Sequence, residues 1–279
     1  MSRDWVWDPT LFAGTAPWYE RGRLPYAPGL ADAMAEALNL DGTGRLLDVG
    51  CGPGKVTLLL AHLVEEAVGL DPDEGMLVEA RRLAAEHDVA NAVWVQARAE
   101  ELPPGLGPFR VATFAASFHW MDRAVVAGAV RELLGPGGAA VQIDAPGYRP
   151  DARVADDALP HPPPPEERMT ELTRRWLGSD RRAGQGVRNA SPGGENAVFR
   201  EAGFEGAQTV VVPDGRIVER TLEDQVASVF SASSTAPHLF GESLGEFEAE
   251  LRAVLAESTP TGKFAVRLPD NVLSIWRPT

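Results

Sequence analysis

The sequence predicts an α/β fold, a doubly wound and mostly parallel sheet with a helical cover and insert, and three observations carry that prediction. Short apolar runs alternate with amphipathic helical stretches through residues 45–144, the pattern of strands joined by helical crossovers. The first run ends in an acid and a glycine-rich turn, Asp48-Val49-Gly50-Cys51-Gly52-Pro53-Gly54. The second run ends in another acid, Asp71.

The elements follow in order. Residues 1–26 are aromatic-rich and read as an irregular cover, followed by an amphipathic helix with Leu30, Met34 and Leu38 on one face. Together they make an N-terminal unit, 1–40. The core, 41–145, holds strands near 45–49, 66–70, 92–96, 109–116 and 138–144 and helices near 55–64, 74–86 and 122–134. An insert, 146–193, breaks the rhythm with Pro150, Pro160 and the run 162–165 around a helix at 166–177. Proline this dense excludes regular structure locally, leaving a surface linker or a stiff hinge to a helix that lids a pocket. The last part, 194–279, reads as a helix at 194–203 and extended chain at 207–219 with a turn at Pro213-Asp214-Gly215. Residues 221–232 and 242–256 read as two helices, and a hairpin at 263–276 around Pro269-Asp270-Asn271 closes the chain.

The glycine turn points to a nucleoside cofactor. Gly50, Gly52 and Gly54 remove each Cβ from the turn, so backbone can pass close to a ligand. Dinucleotide sites use G-x-G-x-x-G to seat a pyrophosphate on a helix N-terminus, whereas the spacing here is G-x-G-x-G. Asp48 would repel a pyrophosphate but accept a ligand ammonium, directly or through water. S-adenosylmethionine carries such an ammonium. Asp71 can accept both ribose hydroxyls, and Cys51 faces the turn as a small residue.

On these residues, 43–145 resembles the core of the class I S-adenosylmethionine-dependent methyltransferases. The resemblance implies a Rossmann-like sheet of seven strands, with S-adenosylhomocysteine as product and the helices at 221–232 and 242–256 packed over the strand ends to shape an acceptor pocket. VGLDPDEGMLVEAR at 68–81 is similar to the family's second strand and helix, implying Asp71 at the ribose and Pro72 and Met76 beside the adenine. VWVQARAEELP at 93–103 resembles its adenine loop, with Ala99 and Glu100 as the small-acidic pair. Where the family often has Gly-Asp, this chain has Ala97-Arg98, so Glu100 or a backbone group is expected to serve the adenine amino group. FRVATFAASFHWMD at 109–122 resembles the fourth strand and its exit, and LLGPGGAAVQID at 133–144 the turn into the fifth. The N-terminal pattern Tyr19, Arg23, Pro25, Tyr26 resembles that of small-molecule members. It implies Tyr19 over the methionine moiety and Arg23 on its carboxylate; the other reading has Trp18 and Tyr26 stapling the cover to the core.

Ligands bind at the carboxyl ends of strands in open parallel sheets, so Ser117-Phe118-His119-Trp120-Met121-Asp122 at the fourth strand's exit faces the transferable methyl. Ser117 is assigned to the cofactor. His119 is a candidate general base, or else hydrogen-bonds the chain or the cofactor. Trp120 and Met121 line an acceptor pocket or pack beneath it, and Asp122 reads as a helix N-cap. Phe12, Trp18 and His238 are the remaining acceptor candidates. His62, His87 and His161 have no partners at metal spacing, so the expected reaction is metal-free in-line displacement governed by positioning.

Composition sets the bounds. The chain has 279 residues and a net charge of −14, which disfavours duplex nucleic acid and anionic membrane as partners. Its single cysteine excludes an internal disulfide. No leader or membrane-length apolar run is read, so a cytoplasmic protein is expected, with a homodimer left open. The expected substrate is a small organic acceptor, from bacterial natural-product biosynthesis or general metabolism. A non-methylating enzyme on the same fold and a cofactor-binding sensor are the alternatives.

Overall fold

In the computed structural model the described residues are 8–103, 105–144, 159–180, 182–184, 186–187 and 194–279. Much of the proline-rich insert, at 145–158 and 188–193, lies outside them.

The core begins with β1 (Arg45–Val49), α3 (Lys55–Leu60), β2 (Glu66–Asp71), α4 (Glu74–Glu86) and β3 (Ala92–Gln96). It continues through β4 (Phe109–Ala115), α5 (Arg123–Leu133) and β5 (Leu134–Ile143). Ahead of it lie α1 (Ala16–Gly22) and α2 (Leu30–Leu38). Later come α6 (Glu166–Leu177), the short pair β6 (Arg182–Ala183) and β7 (Gly186–Val187), α7 (Glu195–Glu201) and β8 (Gln208–Val212). The chain ends in β9 (Ile217–Thr221), α8 (Leu222–Phe230), α9 (Leu244–Glu257), β10 (Lys263–Arg267) and β11 (Asn271–Trp276).

Among the described residues the main sheet has seven strands in the order β3-β2-β1-β4-β5-β11-β8. The strands β1 to β5 run parallel, and β11 runs antiparallel to both neighbours. Because side chains alternate across a strand, Leu46 and Leu47 enter opposite cores. Leu46 joins Leu30, Met34, Val111 and Val141 under α2 and α3. Leu47 joins Phe114, Val126, Phe199 and Trp276 under α5 and α7. Burial on both faces explains why these strands read as continuous apolar runs. Asp73 caps α4 and Asp122 caps α5, each accepting from the third residue on, at 3.2 and 3.3 Å. A third cluster, with Leu172, Phe230, Phe247 and Phe264, joins α6, α8, α9 and β10 into a helical subdomain. No helix among the described residues is long and apolar enough to cross a membrane.

Two expectations need correction. The cover is not irregular throughout, because α1 forms within it. Its C-terminal carbonyls, on Arg21 and Gly22, accept hydrogen bonds from buried Arg220 of β9 at 2.9 and 3.0 Å. A cation at that end also complements the helix dipole. Residues 263–276 are not a hairpin, since β10 pairs with β9 while β11 enters the main sheet between β5 and β8. The cause is in the side chains: β11 buries Asn271, Leu273, Ile275 and Trp276, an inner strand's pattern, whereas β10 exposes both its ends. Asn271 also anchors the cover, accepting from the Ala27 amide at 2.7 Å and donating to the Asp144 carbonyl at 3.2 Å.

Candidate functional site

A cleft, with about 660 Å³ of empty space when its open mouth is counted, crosses the carboxyl ends of β3, β2, β1 and β4.

At the end of β1, Gly50 has φ +70°, and a Cβ there would lie 2.7 Å from the Ser117 Cβ and 2.9 Å from the Met121 Cε. The turn is tied to β2, with the Gly50 and Cys51 amides both donating to the Leu70 carbonyl at 2.8 and 3.0 Å. Gly52, at φ +55°, faces open space where a Cβ would stand, and it lines the cavity. Gly54 differs: a Cβ there would lie 2.4 Å from the Trp94 ring, so this glycine serves packing rather than the cavity wall. Cys51 is buried, with its Sγ toward Gly69, and it too stands outside the lining.

The two acids separate. Asp71 lines the cavity, its Oδ2 accepting from the Gly52 amide at 2.8 Å and its Oδ1 from the Asp73 amide at 3.0 Å. A carboxylate oxygen offers two lone pairs, so each keeps one for a ligand hydroxyl. Burial pushes Asp71 up to about 6, against the pull of those amides and with help from the charges of Asp73 and Asp48. Asp48 is fully buried beneath the turn and does not reach the cavity. Its Oδ2 accepts from the Thr57 hydroxyl at 2.7 Å and its Oδ1 from the Thr113 hydroxyl at 2.8 Å. Burial raises its pKa, opposed by the two threonines. A direct contact from Asp48 to a ligand ammonium is therefore not offered.

The β3 side of the cavity is formed by Pro72, Met76, Arg98, Ala99 and Glu100. Glu100 is fixed by the Asp122 amide, which donates to its Oε1 at 2.8 Å and so ties the β3 exit to the cap of α5.

The β4 side is formed by Ala115, Ala116, Ser117, Trp120 and Met121. Ala116 adopts φ +53°, a conformation costing roughly 1–2 kcal/mol for a residue with a Cβ. It is held where the Ala116 amide donates to the Ile143 carbonyl at 3.2 Å and the Ser117 hydroxyl to the Val49 carbonyl at 2.5 Å. Residues Phe118–Trp120 then form a 3-10 turn. Three residues per turn align Ser117 with Trp120 and swing His119 aside, where its ring meets that of Trp120 at 4.5 Å, outside the lining.

The cover contributes Leu11, Phe12 and Tyr19, with Phe12 edge-on to Trp120 at 5.9 Å. Other predicted cover residues point elsewhere. Trp18 packs on Phe230 at 5.1 Å, fastening α1 to the helical subdomain. Arg23 lies over the Tyr19 ring at 5.0 Å and donates to the Ser231 carbonyl at 2.6 Å. His238 donates from Nδ1 to the Ala13 carbonyl at 2.9 Å, so it holds the cover without lining the cavity. Among the described residues the helical subdomain supplies no part of the wall, contrary to the expectation that its helices shape the acceptor pocket. Its contacts to the site run through the cover.

Sequence reasoning missed Leu11, Leu70, Arg98, Ala115 and Ala116 as lining residues. Arg98 had a signal, standing where the family often has an acid. The alanines had none, since their place follows from how β4 ends.

Residues 46–138 match the family described as a methyltransferase domain. An uncharacterised methyltransferase of Mycobacterium tuberculosis is 34% identical over 120 residues, 43% of this chain and 46% of the relative. The chain thus spans about half the length of the curated relatives it matches. The uncharacterised methyltransferase YcgJ of Bacillus subtilis is 30% identical over 118 residues, 42% of this chain and 46% of its own. Its crystal structure aligns with a TM-score of 0.52 at 17% identity, covering 89% of this chain and 98% of that one, a likeness of fold. A shorter match, 37% over 82 residues, reaches a tRNA (uracil-5-)-methyltransferase homolog of Mus musculus, covering 29% of this chain and 13% of that protein.

Proposed function

We propose that this chain, which carries the class I S-adenosylmethionine-dependent methyltransferase core at residues 46–138, methylates a small, largely apolar organic molecule. The observation that carries this reading is the single cavity joining a polar nucleoside side at Asp71 to an aromatic side at the β4 exit.

The residues present fit S-adenosylmethionine. Asp71 retains an acceptor site on each oxygen for the ribose hydroxyls, Gly52 leaves its side of the turn open, and Pro72, Met76 and Ala99 offer apolar surface to an adenine. When bound, this cofactor supplies an electrophilic sulfonium methyl for in-line displacement. The chain's own part is positioning, which carries much of the acceleration in such reactions. Phe12, Trp120 and Met121 present apolar surface to an acceptor, with Phe12 set edge-on to Trp120. The Ser117 hydroxyl is committed to the Val49 carbonyl, and His119 stands outside the lining. An acceptor that arrives as a neutral amine or a phenolate fits this arrangement best, because it needs no base from the protein.

A planar intermediate of bacterial specialised metabolism matches the lining. RNA, the substrate named for the mouse relative, fits poorly with a net charge of −14. The test incubates the protein with S-adenosylmethionine and either small aromatic amines and phenols or RNA, and follows S-adenosylhomocysteine by chromatography. Product stoichiometric with a methylated small molecule is expected. Methylation of RNA alone would overturn the substrate class, and cofactor binding without turnover on any acceptor would favour a sensor.

A further inference from the structure

Beside the glycine turn cations gather in an otherwise acidic chain. Lys55, the first residue of α3, is 18% exposed and meets Glu20 of α1 at 3.3 Å. Burial lowers its pKa, Glu20 raises it, and Arg220 and Arg23 lower it further. Arg220 uses its Nη2 on the carbonyls of Arg21, Gly22 and Asp224. Arg21 is paired with Asp224. The Arg23 Nη2 is on the Ser231 carbonyl, but its Nε is buried with no hydrogen-bond partner. Lys55 has Glu20 as its ion-pair partner, and Glu20 is 47% exposed. A buried donor without an acceptor and a largely shielded lysine whose partner is half-solvated both call for a further anion. Glu20 adjoins Tyr19, a cavity residue, and Lys55 adjoins the turn.

We propose that Lys55 binds the carboxylate at the amino-acid end of the cofactor, beside Arg23, and that Glu20 occupies this place until the cofactor arrives. The proposal rests on the methyltransferase reading and adds to it a residue that the sequence pattern did not single out. The exchange leaves Lys55 paired and sends Glu20 to solvent. It makes cofactor entry compete with an ion pair that holds α1 to α3.

Calorimetry with two probes tests it. S-adenosylhomocysteine carries the amino-acid group, and 5′-methylthioadenosine is the same nucleoside thioether without it. Lys55→Met should weaken S-adenosylhomocysteine about 10- to 100-fold, the scale of a lost charged hydrogen bond, and change 5′-methylthioadenosine by less than about twofold. Lys55→Arg should restore most of the loss. Glu20→Gln should tighten S-adenosylhomocysteine and leave the other probe unchanged. Equal weakening of both probes in both variants would show that the pair only pins α1, and an unchanged S-adenosylhomocysteine affinity in Lys55→Met would likewise overturn the proposal. If the wild-type protein binds neither probe, the cofactor reading falls with it; if it binds both and the variants match it, only the role of Lys55 falls.

Discussion

The ends of β1 and β2 look alike in sequence, an apolar run closed by an aspartate, yet they do different work. Asp48 has one more strand residue after it, Val49, so its side chain still belongs to the sheet face that α3 covers. There Thr57 and Thr113 take both of its oxygens and water is excluded. Asp71 is the last residue of its strand, where the chain bends away and the covering layer ends. Its oxygens are held by the amides of Gly52 and Asp73 but remain on the cavity wall. The contrast teaches that one position along a strand end decides whether an acid stiffens the floor of a site or meets the ligand.

The largest effect that can break this comparison comes from removing each acid. Asp48→Ala leaves two buried hydroxyls without their acceptor, at about 1–3 kcal/mol each, so urea unfolding should show a loss of roughly 2–6 kcal/mol. Asp71→Ala should unfold close to wild type while S-adenosylhomocysteine binding weakens by about 1.5–3 kcal/mol per charged hydrogen bond lost. Reversed outcomes, with Asp48→Ala stable but unable to bind, would restore the ammonium role for Asp48.

The glycines offer the next test. A Cβ at Gly54 would strike the Trp94 ring and must also adopt φ +81°, so Gly54→Ala should cost about 2–5 kcal/mol from overpacking and backbone strain. Gly52→Ala meets open space. It should cost only about 1–2 kcal/mol in stability while its methyl narrows the ligand site, which thermal melts and ligand titration read separately.

How much of this was legible follows from what kind of information each feature needs. Strands β1, β2 and β3 were read nearly to the residue because their apolar runs are bounded by glycine, proline and acids. The caps Asp73 and Asp122 act within three residues of themselves, so the local code contains them. The exchange of β10 and β11 was not legible, since each pairs with a strand distant in sequence. For the same reason the sequence leaves Trp18 between the acceptor and a staple for the cover, because nothing nearby in the chain announces Phe230. The three glycines form one motif in the sequence. Only the packing of Ser117, Met121 and Trp94 divides them into close approach, open wall and ring contact.

Acidity sharpens the comparison further. The folded pKa of Asp71, about 6, lies above its usual 3.8. Its contribution to stability is therefore fully present in acid and is lost as pH rises from about 3.8 through about 6. Ligand affinity runs the other way, because ribose hydroxyls donate to the carboxylate form. Binding should weaken below about pH 6 by up to about 1.4 kcal/mol per unit. Asp71→Asn should bind weakly with no such slope, and a slope that survives the substitution would assign the titration to another group.

The smallest expected effect belongs to His119. Standing outside the cavity lining, it should leave turnover within about threefold of wild type when replaced by alanine, whereas a general base would lower it about 10²- to 10⁴-fold. Trp120→Ala, on the wall, should raise the acceptor KM more than it lowers kcat.

A crystal structure of the protein with S-adenosylhomocysteine tests the central assignment most directly. The account predicts the ribose hydroxyls on Asp71, the adenine between Met76 and Ala99, and the sulfur turned toward Ala116 and Ser117 with Phe12 and Trp120 beyond it. A nucleoside seated away from Asp71, or a sulfur turned away from the β4 exit, would contradict it.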